Sequence, residues 1–172
     1  MTTKRLSNEF MEKILNDAVW KELSEGFKWT EQTLEKYKDK VDWKAVSGNS
    51  EILWTPAMLE KFKNQLDWTK LSSTSSQTLL NVSNLERFKD YWNWSELSEN
   101  SDLELSYGLI DKFMDLWDWS ELINRYRNED FYSFEFLERY LDKIPANKFQ
   151  DSRLWDKLVE IRKYEMAYEL VS

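Results

Sequence analysis

Apolar residues recur along the chain in triplets spaced i, i+3 and i+7: Leu34/Tyr37/Val41, Leu59/Phe62/Leu66, Leu85/Phe88/Trp92, Ile110/Phe113/Trp117 and Leu137/Tyr140/Ile144. That spacing draws one stripe down a helix, and it predicts a helix of about three turns at each place. Thr30, Thr55, Asn81, Ser106 and Ser133 stand ahead of the triplets as N-cap residues, and Pro56 takes the favoured first helical position. A second helix start follows each of the first four, where Asp42, Asp67, Asn93 or Asp118 directly precedes a tryptophan. Glu96 and Glu121, three residues after their caps, complete a capping-box pattern. The W-x-x-[LV] run after each cap is short, so it predicts a single helical or 3₁₀ turn. Polar residues such as Ser47-Gly48-Asn49 and Ser98-Glu99-Asn100 close it.

These elements belong to one repeated sentence. LEKYKDKVDW at 34–43 returns as LEKFKNQLDW at 59–68, LERFKDYWNW at 85–94 and IDKFMDLWDW at 110–119. The period is about 25 residues, with Gln77 inserted before the third copy and two residues inserted before a fifth, worn copy at 130–153 that lacks the DW pair. Residues 7–24, ending AVWKELS, form a degenerate opening copy. A stripe on so short a unit cannot be buried alone, whereas successive copies can cover one another. The pattern therefore predicts an all-α chain of short two-helix repeats in a right-handed solenoid with terminal capping helices, one domain over 1–172. Residues 1–26 would supply the N-terminal cap and degenerate repeat, 27–153 about five repeats, and 154–172 a capping helix with Leu154, Leu158 and Ile161 on one face. Trp43, Trp68, Trp94 and Trp119 would form one aromatic column, and Trp29, Trp54, Leu80, Leu105 and Tyr132 a second.

The W-x-x-L-S ending after a helix reading L-E-K-[FY]-K-[DN] resembles the short tryptophan/leucine repeats of many bacterial and large-virus proteins, well over 27–122 and in degraded form over 130–149. The alternation of an α-helix with a shorter one at nearly this period is similar to the leucine-rich repeat variant architecture. The resemblance implies a helical superhelix and a binding role, and it brings no catalytic residues.

Composition narrows the chemistry. The 172 residues are 41% hydrophobic and 33% charged, as in a globular chain, and the ten tryptophans are the anomaly. With no cysteine and no histidine, the chain lacks disulfides, thiolates and the commonest general base and metal ligand. Neither a Gly-rich phosphate loop nor a nucleophile with an orienting base is present, so the sequence argues against an enzyme and implies no cofactor and no metal. No segment has the apolar length of a signal peptide or a membrane span, which leads to the expectation of a cytoplasmic protein with no membrane partner. A net charge of −8 disfavours direct binding to nucleic acid. Glu35, Glu60, Glu86, Asp111 and Glu138 fill one column beside Lys36, Lys61, Arg87, Lys112 and Arg139. The adjacency predicts a ladder of acid–base pairs, between copies or within one as in Glu35/Lys38, rather than a phosphate-tracking stripe.

The informative residues are those that break the repeat. NRYRNEDFYSF at 124–134 combines the insertion with residue types favoured at interfaces, which makes Arg125, Tyr126, Arg127, Phe131 and Tyr132 candidate partner-binding residues. Tyr91 and Tyr107, at positions that are polar in the first two copies, join them. The implied function is noncatalytic protein binding, as a small adaptor or inhibitor of the immunity or counter-defence type. An acidic mimic of nucleic acid is the alternative, an RNA or single-strand binder a weaker one, and a homodimer is left open.

Overall fold

A computed structural model describes residues 8–76, 78–127 and 129–171. Residues 1–7, the inserted Gln77 and Asn128, and Ser172 lie outside the described residues. Among the described residues there are twelve α-helices, one 3₁₀ turn and no strand. The chain divides into two compact units, Met1–Tyr91 and Trp92–Ser172.

The first unit opens with α1 (Asn8–Gly26) and continues through α2 (Glu31–Tyr37), α3 (Trp43–Gly48), α4 (Pro56–Phe62), α5 (Trp68–Ser72) and α6 (Val82–Arg87). The second contains α7 (Trp94–Glu99), α8 (Tyr107–Lys112), α9 (Trp119–Leu122), the 3₁₀ turn Glu129–Phe131, α10 (Phe134–Tyr140), α11 (Ala146–Phe149) and α12 (Arg153–Val171). Each of the five predicted first caps accepts a hydrogen bond from the backbone N–H three residues on. Asp42, Asp67, Asn93 and Asp118 cap the tryptophan helices in the same way. In the fifth copy Pro145 occupies that position and offers no side-chain acceptor. The reciprocal capping box is found at Thr30 and Thr33.

The first helices are two turns long, not three, and a substitution of hydrogen-bond partners explains why. A third turn would have the Asp42 N–H donate to the Lys38 carbonyl. Instead that N–H donates to Ser24 Oγ at 2.9 Å, and the Trp43 indole N–H takes the Lys38 carbonyl at 3.0 Å. The next copy repeats the exchange, with Asp67 N–H on Ser47 Oγ (2.8 Å) and Trp68 Nε1 on the Lys63 carbonyl (2.8 Å). In the second unit Asp118 N–H meets Ser98 Oγ at 2.9 Å, while Trp119 Nε1 meets the Met114 carbonyl at 3.1 Å. Each of these serines also donates to the carbonyl of the tryptophan four residues before it. Both groups of the missing bond are thus satisfied where the helix stops, and the same atoms join it to the preceding copy.

Each indole rests on the aromatic ring that the following copy places second in its triplet: Trp43 on Phe62 and Trp68 on Phe88 in the first unit, Trp94 on Phe113 and Trp119 on Tyr140 in the second. Centroid separations of 4.9–5.4 Å and tilts near 40° suit aromatic quadrupoles. The column of indoles alone becomes an alternation of indole and phenyl, because the phenylalanine enters between copies. Trp68 and Trp119 are buried, while Trp43 and Trp94 stay partly open. Of the second proposed column, Trp29, Trp54, Leu80 and Tyr132 are buried and Leu105 is half-buried.

Three bases of the charged column pair with acids of the preceding copy. Lys61 meets Glu35 and Arg87 meets Glu60 from one copy to the next in the first unit, and Arg139 meets Asp111 in the second. Lys38 and Lys63 close the pairs within a copy. These groups are solvent-exposed, so they set register more than they add stability.

Candidate interaction surface

The stretch 124–134 does not present itself as one patch. Arg125 is fully buried, with relative exposure of 0%. Its Nη2 donates to the carbonyls of Asn100 and Leu103. Asn49 makes the matching pair of bonds in the first unit, donating from Nδ2 to the carbonyls of Ser24 and Phe27, each at 2.9 Å. Arg125 therefore fills the asparagine position of the repeat and closes the turn of the preceding copy. It is a structural residue, not a partner-binding one. Burial pushes its guanidinium down to about 10, and its Nε and Nη1 make no hydrogen bond. Tyr132 is buried beside it, accepting from the Arg125 N–H and donating to the Leu122 carbonyl, both at 2.9 Å. Sequence reading missed this role because an arginine in place of an asparagine looks like a break in the pattern; alignment of residue 125 with 49 and 100 at the period was the available signal.

Tyr126 and Arg127 do reach the surface. Tyr126 is 58% exposed. The Arg153 guanidinium from the start of α12 lies 4.8 Å from its ring centroid, and that of Arg127 lies 6.0 Å away. Arg127 has φ 63°, in the left-handed region that a side chain with Cβ rarely adopts. This residue follows the buried Arg125 by two positions, and Tyr126 between them is exposed. Arg153 also borders an open groove of about 470 Å³ whose other walls are Asp130, Asp156, Lys157 and Glu160.

Phe131 and Tyr107 form a separate cluster, with ring centroids 5.1 Å apart. Tyr107 lies 6.2 Å from Tyr140 and carries the Arg139 guanidinium 5.1 Å from its centroid. Asp111 anchors that guanidinium and accepts from the Tyr140 hydroxyl at 2.9 Å. Those two donors, Arg139 first, hold the Asp111 carboxyl below its ordinary range, while burial and then Asp111 push the Tyr140 phenol up. Both rings of the Tyr107/Phe131 pair are half-buried. Tyr91 belongs to the first unit, exposed at its edge against Trp68 (5.2 Å) and Lys63 (5.9 Å).

Charge is divided unequally. Through Tyr91 the sequence has 14 basic and 14 acidic residues; from Trp92 onward 10 basic residues stand against 18 acidic ones. The whole net charge of −8 therefore resides in the second unit. Part of it is concentrated on α7 and α9, where burial, then the charges of Asp118 and Glu99, raise the Glu121 carboxyl above its ordinary value. Hydrogen bonds from Ser120 and then Ser95 hold Asp118 low. Among the described residues no group of three or more potential ligands converges as a metal site would require, and no described helix is long and apolar enough to cross a membrane.

The described residues thus define an all-helical protein whose copies are joined by a serine–aspartate–tryptophan exchange. No family model, curated protein or solved structure matches the chain.

Proposed function

We propose that the protein is a noncatalytic protein-binding module, a small adaptor or inhibitor of immunity or counter-defence type that occludes a partner protein. The right-handed solenoid expected from the period is part of this proposal, supported by recurrence of the same serine bridge in each unit. The observation that carries the binding role is Tyr126: an exposed ring with the guanidinium groups of Arg153 and Arg127 within 4.8 and 6.0 Å of its centroid, next to the unfavourable φ of Arg127. Tyrosine and arginine dominate binding energy at interfaces, and strained turns accompany functional loops. A cytoplasmic location fits this reading. The test is quantitative cross-linking and affinity capture from the native host with wild type, with the Tyr126→Ala/Arg127→Ala double variant, and with Leu53→Ala as a surface control. The proposal expects one or more partners lost from the double variant alone, with helical circular dichroism unchanged; identical partner sets for all three proteins would sink it.

A second reading, an acidic mimic that blocks a nucleic-acid-processing enzyme, is favoured by the confinement of −8 to the second unit. It predicts affinity that falls steeply with salt, where the Tyr126-centred reading predicts a shallow dependence. Direct binding to RNA or single strands has the least support, since Lys61, Arg87 and Arg139 of the basic column already face acids.

A further inference from the structure

The repeat has an unfinished end in the first unit. Val19 stands where Asp42, Asp67, Asn93 and Asp118 cap the tryptophan helices, so no second helix start interrupts α1, and it runs unbroken from Asn8 to Gly26. Its C-terminal part, with Trp20 and Ser24, serves as the tryptophan helix of the opening copy and packs along α3, but no separate first helix precedes α2. The consequence shows at aligned positions. In the second copy Val46, Ile52, Met58 and Phe62 are all buried. Their counterparts Leu23 and Phe27 are exposed, at 38% and 46%, and Thr33 and Tyr37 are half-buried. Together with Trp20 and Trp29 these residues line an open pocket of about 220 Å³ with no charged side chain in its walls. A terminal copy needs a polar outer face to stay soluble, and this one turns out rings and a leucine.

The second copy shows what belongs over such a face. There α2 lies alongside α4, and Lys61 of α4 reaches both Glu31 and Glu35, which stand one turn apart on α2. Lys36 is the counterpart of Lys61 at the period. Among the described residues no acid pairs with Lys36; its ammonium stands 5.1 Å from the Tyr37 ring centroid, and that of Lys40 stands 5.5 Å from the Trp20 ring. The pocket thus has rings inside and ammonium groups at its rim, which suits an apolar ridge flanked by carboxylates. A second copy does not supply that ridge. Its own α2 is already engaged with α4, and two such ends brought together would set Lys36 and Lys40 against like charges. We propose that this end of the repeat binds an acidic amphipathic helix of a partner protein, seated on α2 as α2 is seated on α4. Two carboxylates one turn apart would meet Lys36, with a bulky apolar residue between them over the pocket. The site shares no residue with the Tyr126 surface and goes beyond the reading built on it.

The probe is a fluorescein-labelled peptide with the α2 sequence of residues 30–41, held helical by a staple between positions 32 and 36 that leaves Glu31, Leu34 and Glu35 free. Its fluorescence anisotropy is followed as the full chain is added up to about 500 μM, a range that covers weak single-helix contacts. A saturable rise with Kd of about 100 μM is expected. Lys36→Glu in the protein should weaken binding about tenfold, and a peptide carrying Glu31→Lys and Glu35→Lys should prefer that variant to wild type. Leu23→Glu puts a charge into the pocket and should abolish binding with circular dichroism unchanged. No saturable rise with wild type overturns the proposal, and so does binding that Lys36→Glu and the charge-reversed peptide leave unaltered. Sedimentation velocity on the protein alone covers the other occupant: a wild-type dimer that Leu23→Glu abolishes assigns the pocket to a second copy and overturns the proposal as well. The Tyr126→Ala/Arg127→Ala double variant should bind the peptide as wild type does, so failure of this site and failure of the Tyr126 surface are told apart.

Discussion

Removing one serine oxygen should weaken the fold far more than removing a whole surface ion pair. Ser47 is buried, and its Oγ accepts the Asp67 N–H at 2.8 Å while donating to the Trp43 carbonyl at 2.6 Å. Ser47→Ala leaves the methyl in place but strands the Asp67 N–H, because the acceptor it would have in a longer helix, the Lys63 carbonyl, is taken by the Trp68 indole. An unsatisfied buried donor costs about 1–3 kcal/mol, with the lost donor bond adding less, so we expect about 2 kcal/mol. Lys61→Ala removes pairs to Glu31 and Glu35 and should cost at most about 0.5 kcal/mol. Urea unfolding followed by tryptophan fluorescence measures both, and amide hydrogen exchange locates the loss. The Asp67 amide should exchange faster in Ser47→Ala under native conditions, while the Asp42 amide, bonded to Ser24, should not change before global opening. A Ser47→Ala protein as stable as wild type, with Asp67 still protected, would mean that the exchange of partners does not hold the copies together.

Three further outcomes follow from buried and paired groups. Arg125→Ala removes the donor shared by the Asn100 and Leu103 carbonyls, leaving Asn100 only its bond from the Leu103 N–H, and opens a cavity, costing about 3 kcal/mol, whereas Arg125→Asn restores the donor used at Asn49 and should cost clearly less in the same urea assay. The raised Glu121 carboxyl favours its protonated form in the folded state; that stability is present below its ordinary value of 4.5 and is lost as pH rises through the higher folded value. Glu121→Gln should therefore raise the thermal midpoint at pH 7, with the gain vanishing below about pH 4. Asp111 has the opposite sign: its depressed carboxyl contributes stability above its ordinary value of 3.8 that disappears as pH falls towards the folded value, so Asp111→Asn should lower the midpoint at pH 7 and converge with wild type in acid.

Much of the fold was legible because its local signals are chemical. All five first-helix caps and the four tryptophan-helix caps fall where hydroxyl, carboxamide and carboxylate side chains precede an apolar stripe. The acid–base ladder was legible because the two columns adjoin at one period. Helix length was not, since the i, i+3, i+7 stripe continues past Tyr37 to Val41 and the residue that ends the helix, Ser24, lies 18 positions upstream. Aromatic packing was misjudged for a related reason: period alone aligns indoles with indoles, and only geometry shows the Phe62 ring beneath Trp43. Of the candidate surface, Tyr126 and Arg127 face outward, whereas Arg125 and Tyr132 are consumed inside. Residue type cannot separate these cases, because a buried arginine on carbonyls and an exposed one have the same letter.

The two ends of the repeat show where function has room. The bridge runs one way, from a serine in one copy to an amide in the next, so a first copy needs only to supply the serine. α1 does this with Trp20 and Ser24 at its C-terminal end. At the other end the tryptophan helix starts at Pro145, and Ser152 no longer bridges forward. Its Oγ accepts from the Trp155 N–H three residues on and caps α12, while the Arg153 and Leu154 amides bond back to Asn124 and Ile123. This termination also places Arg153 beside Tyr126. At Ser24, Ser47 and Ser98 the recurring chemistry is occupied in joining copies, and a side chain bonded to its neighbour copy is not free to recognise a partner. Recognition must therefore rest on residues the period does not explain. By that criterion the Tyr126 turn is the surface to perturb first.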